Sequence, residues 1–135
     1  MALQYSVAVR NAQLDAVEST TGTAALLRIY SGAAPANCAA AASGTLLAEM
    51  TLPSDWMAAA SGGSKALSGT WQDASANATG TAGHFRLLDS GGTTCHAQGT
   101  VTATGGGGDL TLDNTSIASG QSVTITSFTI TAGNA

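Results

Sequence analysis

The stretch SVTITSFTITA, residues 122–132, alternates apolar and hydroxyl-bearing side chains. In an extended chain Val123 and Ile125 lie on one face and the intervening threonines lie on the other, which is the period of a strand with one buried face. The alternation slips by one residue at Ser127, and the apolar series then resumes with Phe128. The pattern predicts a half-buried β-strand with a bulge at Ser127.

Similar short segments precede this stretch, and turns containing Gly, Pro, Asn or Asp separate them. The predicted strands are ALLRIYSG (25–32), TLLAEMTLP (45–53), KALSGTWQD (65–73), AGHFRLLDS (82–90), TTCHAQGTVTAT (93–104) and GDLTLDN (108–114). About seven strands at this spacing predict a mainly β protein, an antiparallel β-sandwich or jelly roll. Two further segments carry no strand pattern. The segment 32–44 predicts a packed surface loop, with a short helical turn at 36–42 as the alternative, and SDWMAAASGG (54–63) predicts a brief helix capped by Ser54 or Asp55.

The first 22 residues have the period of a helix instead of a strand. Ser6 is a suitable N-cap and Gly22 a suitable C-terminal stop. The predicted apolar stripe consists of Val7, Leu14 and Val17. The charged residues predicted to point elsewhere are Arg10, Asp15 and Glu18. We therefore predict one domain over 1–135, with a helical segment at 1–22 and a β-sandwich at 23–135.

The composition is unusually neutral for a soluble domain. Charged residues make up 9% of the 135 residues and the net charge is −4, whereas ordinary domains are roughly 25% charged. A monomer of this mass exposes about 6,400 Å², so few charges cover much surface, and we expect other subunits to cover part of it. One Lys and three Arg residues argue against nucleic-acid binding, which requires cations to neutralise phosphate.

The sequence contains no apolar run long enough for a membrane span, and its first residues lack the basic and apolar regions of a secretory signal. Assembly in the cytoplasm is therefore expected. Cys38 and Cys95 are compatible with two half-buried thiols, the reading favoured for a cytoplasmic protein, or with one disulfide formed after release into an oxidising medium.

The residues that carry chemistry form no recognisable catalytic or metal-binding motif. His96 follows Cys95 directly, so the two side chains point to opposite faces of a strand, and with His84 they supply no convergent zinc set. Ser64 and Lys65 lack the S-x-x-K order of a serine nucleophile and its base. The sequence therefore predicts neither an enzyme nor a bound metal or cofactor.

The glycine run 105–108 lies beside Asp109 and Asp113. It lacks the lysine and following helix of a phosphate loop, and the two carboxylates lack the spacing of a calcium loop. We interpret the run as the tip of a hairpin between the strands on either side.

The few aromatic residues are the best candidates for anchors, either in the core or at a subunit contact. The predicted anchors are Trp56, Trp71, Tyr5, Tyr30 and Phe128. Tryptophans on a β-sandwich also form carbohydrate-binding platforms, but the spacing here does not indicate that use, and the structural role is favoured.

Four segments together resemble a family of small structural proteins encoded by tailed bacteriophages. They are ALQYSVAVRNAQLDAVE (2–18), LRIYSGAAPANCAAAASGTLLAEMTLPSDWM (27–57), GTAGHFRLLDSGGTTCHAQGTV (80–101) and SIASGQSVTITSFTITAGNA (116–135). The resemblance runs nearly end to end. It implies a β-sandwich present in many copies on the outer surface of an icosahedral capsid, as a head decoration or cement protein, and it brings no catalytic residues.

Three functions from different classes follow as expectations. The first is a decoration protein that binds the major capsid protein across subunit joints, as a dimer or trimer, on the surface of the virion. The second is a tail or tail-fibre-associated module that contacts the host surface, for which an exposed Trp56 or Trp71 would provide a glycan-facing site. The third is a free-standing binding or enzymatic domain. Copy number per virion distinguishes the first from the second.

Overall fold

The computed structural model describes residues 3–133 and places one helix and ten strands among them. The elements are α1 (Val7–Thr21), β1 (Leu26–Ser31), β2 (Leu46–Thr51), β3 (Ser64–Ala66), β4 (Trp71–Asp73), β5 (Gly80–Leu88), β6 (Cys95–Ala103), β7 (Leu110–Leu112), β8 (Ser116–Ile117), β9 (Val123–Ile125) and β10 (Thr129–Thr131). The protein is therefore mainly β with a short N-terminal helix, as the sequence predicts.

The strands form one curled sheet and two small ones. The larger sheet has the order β2-β1-β5-β6-β7, with β8 paired to the start of β5; β10 pairs with β3, and β4 pairs with β9. The described pairs are antiparallel apart from β6 and β7, which run parallel. The finer expectation of a sandwich or jelly roll stays a prediction.

Three of the pairings belong to one long, interrupted antiparallel ribbon. Lys65 pairs with Ile130, Gln72 with Thr124, and Thr81 with Ser116. The first arm runs from β3 to the start of β5, and the second runs from β8 to β10. Between one pair and the next, the two arms contain the same number of residues to within one. The ribbon leads into the β5–β6 hairpin, so the chain from 64 to 131 folds back along itself.

The predicted bulge at Ser127 is a complete break between two strands. Val123 and Ile125 of β9 are buried against β4, and the chain then leaves the ladder so that Phe128 turns into the core. Beyond it β10 pairs with β3. The opposite arm breaks in the same place, because the predicted strand 65–73 is likewise two strands, β3 and β4.

The segment 54–63 contains no helix, so that prediction is wrong. Its backbone instead forms a bridge between Met57 and Leu67, and Trp56 is fully buried. Two of its N–H groups donate to carboxylates on α1, as described below. These carboxylates satisfy backbone donors that the first turn of a short helix would leave without partners.

The hairpin predicted at the glycine run is also wrong, because β7 lies parallel to β6. Gly105 and Gly107 have φ of 88° and 83°, which turns the chain sharply enough to bring Leu110 beside Val101. The Thr102 hydroxyl accepts the Gly108 N–H at 3.0 Å. A short loop thus joins these two parallel strands, whereas parallel strands are usually joined by a crossover of a dozen or more residues.

The aromatic side chains build the centre of the core. Trp71 contacts both Trp56 and Phe128, with ring centroids 5.9 and 5.5 Å apart, and Phe128 packs edge-on against Phe85 at 5.7 Å. Trp71 and Phe128 come from the two arms of the ribbon, Phe85 comes from the large sheet, and Trp56 comes from the segment before β3. They therefore fasten the small sheets to the large one.

Candidate functional site

The helix docks on the β-structure chiefly through polar side chains. Asn11, Asp15 and Glu18 lie on one face of α1, at spacings of four and three residues. Their oxygens accept the N–H groups of Gly63, Ala60 and Met57 at 2.9, 3.0 and 2.8 Å, respectively. We call this contact between α1 and segment 57–65 the polar seam. Asp15 and Glu18, which the sequence predicts to point elsewhere than the apolar stripe, thus contact the β-structure.

Lys65 completes the polar seam from strand β3. Its side chain is 2% exposed, and its ammonium group lies 2.7 Å from Asp15 Oδ1 and 3.2 Å from Glu18 Oε1. It also donates to the carbonyl oxygen of Ala58 at 2.9 Å. This lysine is the only one in the sequence, and its full set of partners makes it a structural cation, with no free pair of electrons for a nucleophile or base.

The apolar stripe predicted on α1 is only partly used. Ser6 caps the helix by accepting the Val9 N–H, and the helix ends at Gly22. Leu14 is buried, and Val17 packs against the core. Val7, by contrast, is exposed. Val7 and Leu14 are seven residues apart and share a face of α1, so Val7 is exposed because of its position near the start of the helix and not because of the rotation of the helix.

The charges of the polar seam define a pH window for helix docking. Hydrogen bonds from Lys65 and from the Ala60 N–H lower the pKa of Asp15 below its usual 3.8. Burial acts to lower the pKa of Lys65, but the hydrogen bonds to Asp15 and Glu18 outweigh it and leave that pKa above its usual 10.5. The stability that Asp15 contributes is complete above the pKa of Asp15 in the unfolded chain, and it is lost as pH falls through the pKa in the folded protein. The stability that Lys65 contributes is complete below the pKa of Lys65 in the unfolded chain, and it is lost as pH rises through the pKa in the folded protein.

We therefore expect the melting temperature to fall outside the range from about pH 4 to about pH 10. Asp89, whose pKa is lowered by the N–H groups of Thr93 and Thr94, contributes to the same acid limb. Asp15→Asn keeps an acceptor for Ala60 and removes the charge, so it should make the acid limb shallower. Thermal unfolding followed by circular dichroism across pH tests this, and an acid limb identical in the variant would contradict it.

A cavity of about 500 Å³ lies beside the polar seam, where α1 meets the segment that follows β2. Asp15, Glu18 and Asp55 line it together with Lys65. Within residues 3–133, no three His, Cys, Asp or Glu side chains are grouped so that they could hold a metal ion. The lining thus has three carboxylates and one cation, and that cation is already paired with Asp15 and Glu18.

The N-terminal segment before and within the first turn of α1 is apolar and exposed. Leu3 is 73% exposed, and Tyr5, Val7 and Val9 are 44%, 46% and 42% exposed. Among residues 3–133 these are the large apolar side chains that face solvent. We call these four residues the N-terminal apolar segment. They lie close together in the chain, and exposed large apolar side chains are candidates for contact with a partner.

The predicted anchors divide between the interior and this segment. Trp56 and Trp71 are fully buried, Phe128 is 8% exposed, and Tyr30 is buried with its ring stacked on His84 at 5.2 Å. Tyr5 is the predicted anchor that lies at the surface. The two tryptophans therefore offer no platform to a glycan.

The two histidines have different surroundings. His84 is fully buried, and its Nδ1 lies 2.9 Å from the carbonyl oxygen of Gly32. His96 is half-buried and lines a small pocket against α1. The acidic residues beside the glycine run are also separated, and Asp109 accepts both the N–H and the hydroxyl of Thr100. The run therefore serves the β6–β7 connection.

The two cysteines lie together, although both are free thiols. They are half-buried and line the same pocket of about 260 Å³, together with Arg28 and Arg86. Arg86 is 4% exposed, and its Nη2 donates to the carbonyl oxygens of Cys38 and Ala40, each at 2.9 Å. The second terminal nitrogen of Arg86, Nη1, is buried and has no hydrogen-bond partner.

Comparison with protein-family models, with curated proteins and with solved structures finds no match to this chain. Within residues 3–133, no helix has both the length and the apolar character needed to cross a membrane.

The polar seam is the feature that the sequence pattern did not predict, whereas Tyr5 of the N-terminal apolar segment is among the predicted anchors. The series Asn11, Asp15, Glu18 at helical spacing was a usable signal, because a lone lysine elsewhere in a nearly uncharged chain requires carboxylate partners if it is buried. The exposure of Val7 had no comparable signal, since its position in the repeat matches a buried stripe.

Proposed function

We propose that this chain is a structural virion protein that decorates a tailed-phage capsid and stabilises it by binding across the joints between capsid subunits. The observation that carries the proposal is the N-terminal apolar segment, in which four large apolar side chains are exposed beside a fully packed core. The resemblance noted in the sequence gives the class of partner, the major capsid protein.

The rest of the surface is suited to close packing against other subunits. The chain exposes 6610 Å² and carries twelve Lys, Arg, Asp and Glu residues in all. Several of these charges pair with one another, as in the ion pair of Arg28 with Glu49 and the charges of the polar seam. A surface with so few free charges has a low desolvation cost when a neighbour covers it.

The polar seam gives the N-terminal apolar segment a rigid support. Arg10 adds a hydrogen bond to the carbonyl oxygen of Ala132 at 3.3 Å, next to strand β10. A docking segment held in place before binding loses less conformational entropy on association. Many such contacts on one particle make individually modest interfaces strong together. We propose that the protein reaches the capsid after assembly in the host cytoplasm, as a dimer or trimer.

The decisive test of location is the number of copies in purified virions, measured by quantitative mass spectrometry. Several hundred copies support a head protein, and a few to a few dozen indicate the tail. Absence from virions would contradict both virion roles. The tail reading with a glycan-facing tryptophan has lost its specific support, because Trp56 and Trp71 are buried.

A substitution at Val9 separates binding from folding. Val9 is the third residue of α1, and Ser6 is its N-cap, so Val9→Glu completes a capping box and leaves the helix at least as stable. The same change places a charge in the N-terminal apolar segment. We expect binding to capsids that lack the protein to weaken by about 30-fold or more, because an apolar contact is lost and a charge is desolvated.

The matched control is Thr126→Glu, which adds the same charge at an exposed position between β9 and β10. Purified wild-type and variant proteins are added back to capsids that lack the chain, and the bound copies and the temperature of genome release are measured. The control should bind and stabilise like the wild type. Equal binding by Val9→Glu and wild type would show that this segment does not contact the capsid.

A further inference from the structure

We propose that Cys38 and Cys95 are an oxidative modification site, at which an intramolecular disulfide fastens the loop 32–45 to the face of the large sheet. The inference is independent of the proposed function, because it concerns the pairing of two thiols within one chain.

The loop that carries Cys38 already lies on the sheet. It connects β1 to β2 without regular secondary structure of its own. Arg86 of β5 holds it through the carbonyl oxygens of Cys38 and Ala40, and Gln98 of β6 donates to the carbonyl oxygen of Pro35 at 2.7 Å. Arg86 and Gln98 are cross-strand partners, so the two side chains that donate hydrogen bonds to the loop are neighbours on the sheet.

Cys95 approaches the same place from the sheet. It begins β6, opposite Leu88 of β5, and shares its pocket with Cys38 and Arg86. Its thiol lies 3.3 Å from the carbonyl oxygen of Ala97, to which it donates, and it is near enough to the Cys38 thiol to help raise the pKa of that group. The two thiols thus line one pocket.

The electrostatic surroundings favour slow, controlled oxidation. Burial and the contact with Cys95 raise the pKa of Cys38, while the positive charge of Arg86 acts in the opposite direction. Because the thiolate is the reactive form, Cys38 stays largely protonated and unreactive at neutral pH. Pairing therefore requires a supplied disulfide oxidant and should proceed faster as pH rises.

With oxidised glutathione the chemistry balances in two exchanges. One protein thiolate attacks a sulfur of the oxidant and releases one glutathione thiolate, which leaves a mixed disulfide. The second protein thiolate then attacks the protein sulfur and releases the second glutathione. The two cysteines lose two electrons and two protons, and the oxidant is reduced to two glutathione molecules.

The bridge should stabilise the fold because it closes a long loop, from residue 38 to residue 95, in the unfolded chain. The purified full chain is incubated with oxidised glutathione and digested, and the peptides are identified by mass spectrometry. We expect a cross-linked Cys38–Cys95 peptide, and a melting temperature raised by about 5 °C that dithiothreitol reverses.

The double variant Cys38→Ser with Cys95→Ser is the control, and its melting temperature should be the same with and without oxidant. Stable glutathione adducts on both cysteines, cross-links only between chains, or an internal cross-link that leaves the melting temperature unchanged would each overturn the proposal.

Discussion

Replacing Trp71 with alanine is expected to lower the free energy of unfolding by about 5 kcal/mol, the upper end for a buried aromatic ring. The ring is fully buried between Trp56 and Phe128. Its Nε1 also donates to the carbonyl oxygens of Trp56 and Ser68, at 3.1 and 3.2 Å. Truncation therefore leaves a large cavity and two carbonyl groups without this donor.

Because domains of this size have total stabilities of about 5–15 kcal/mol, the alanine variant should be partly or wholly unfolded at 37 °C. Trp71→Phe separates the two contributions, since it keeps most of the ring and loses both hydrogen bonds; we expect about 2 kcal/mol. Urea unfolding at 25 °C measures both variants. A loss below about 1 kcal/mol for the alanine variant would be inconsistent with the core described here.

Replacing Lys65 with methionine should be the next most damaging change, with a loss of about 2 kcal/mol. The methionine fills most of the space but leaves Glu18 and Asp15 facing one another without the cation. Breaking a fully buried ion pair costs roughly 3–5 kcal/mol. The loss here is smaller because the Asp15 side chain is 49% exposed and water screens its charge.

A triple variant shows whether the single variant is destabilised by the loss of the contacts of Lys65 or by the two carboxylates left without a cation. Lys65→Met combined with Asp15→Asn and Glu18→Gln removes all three charges and keeps oxygen acceptors for the Ala60 and Met57 N–H groups. It should recover at least half of the stability lost in the single variant. Urea unfolding provides the measurement. A triple variant no more stable than the single one would mean that the hydrogen bonds of Lys65, including the one to Ala58, account for the loss.

The sequence predicted those elements whose boundaries depend on residues close by in the chain. Ser6 and Gly22 define α1 because capping depends on residues within one turn. β1, β2 and β5 coincide with apolar segments between turns, where strand preference and burial agree. The position of Phe128 likewise follows from the slip at Ser127.

Long-range competition explains the failures. The segment 54–63 has a helical cap signal at Ser54, yet acceptors on α1 take its N–H groups, and no local pattern contains that information. The parallel pairing of β7 depends on the contact of Thr102 with Gly108, which the alternation in Asp109–Asn114 cannot reveal. A chain with few charges also hides the polar seam, because its partners are separated by between 39 and 52 residues.

The candidate surfaces were predictable to different degrees. The nearly uncharged composition leads us to expect coverage by other subunits, which stays a prediction, and Tyr5 is a predicted anchor that lies exposed. The exposure of Val7 could not be predicted, because it depends on how far along α1 the contact with the β-structure extends. The proximity of Cys38 and Cys95 depends on the path of an irregular loop, which periodicity does not constrain.

The interrupted ribbon also determines the order in which the molecule can assemble. The β5–β6 hairpin joins neighbouring residues, whereas Lys65 and Ile130, at the far end of the ribbon, come from distant parts of the chain. Closing long loops costs entropy before any contact compensates for it. We therefore expect folding on the millisecond-to-second scale typical of non-local β topologies. We expect the hairpin to form early and α1 to dock last, once β3 has brought Lys65 into place.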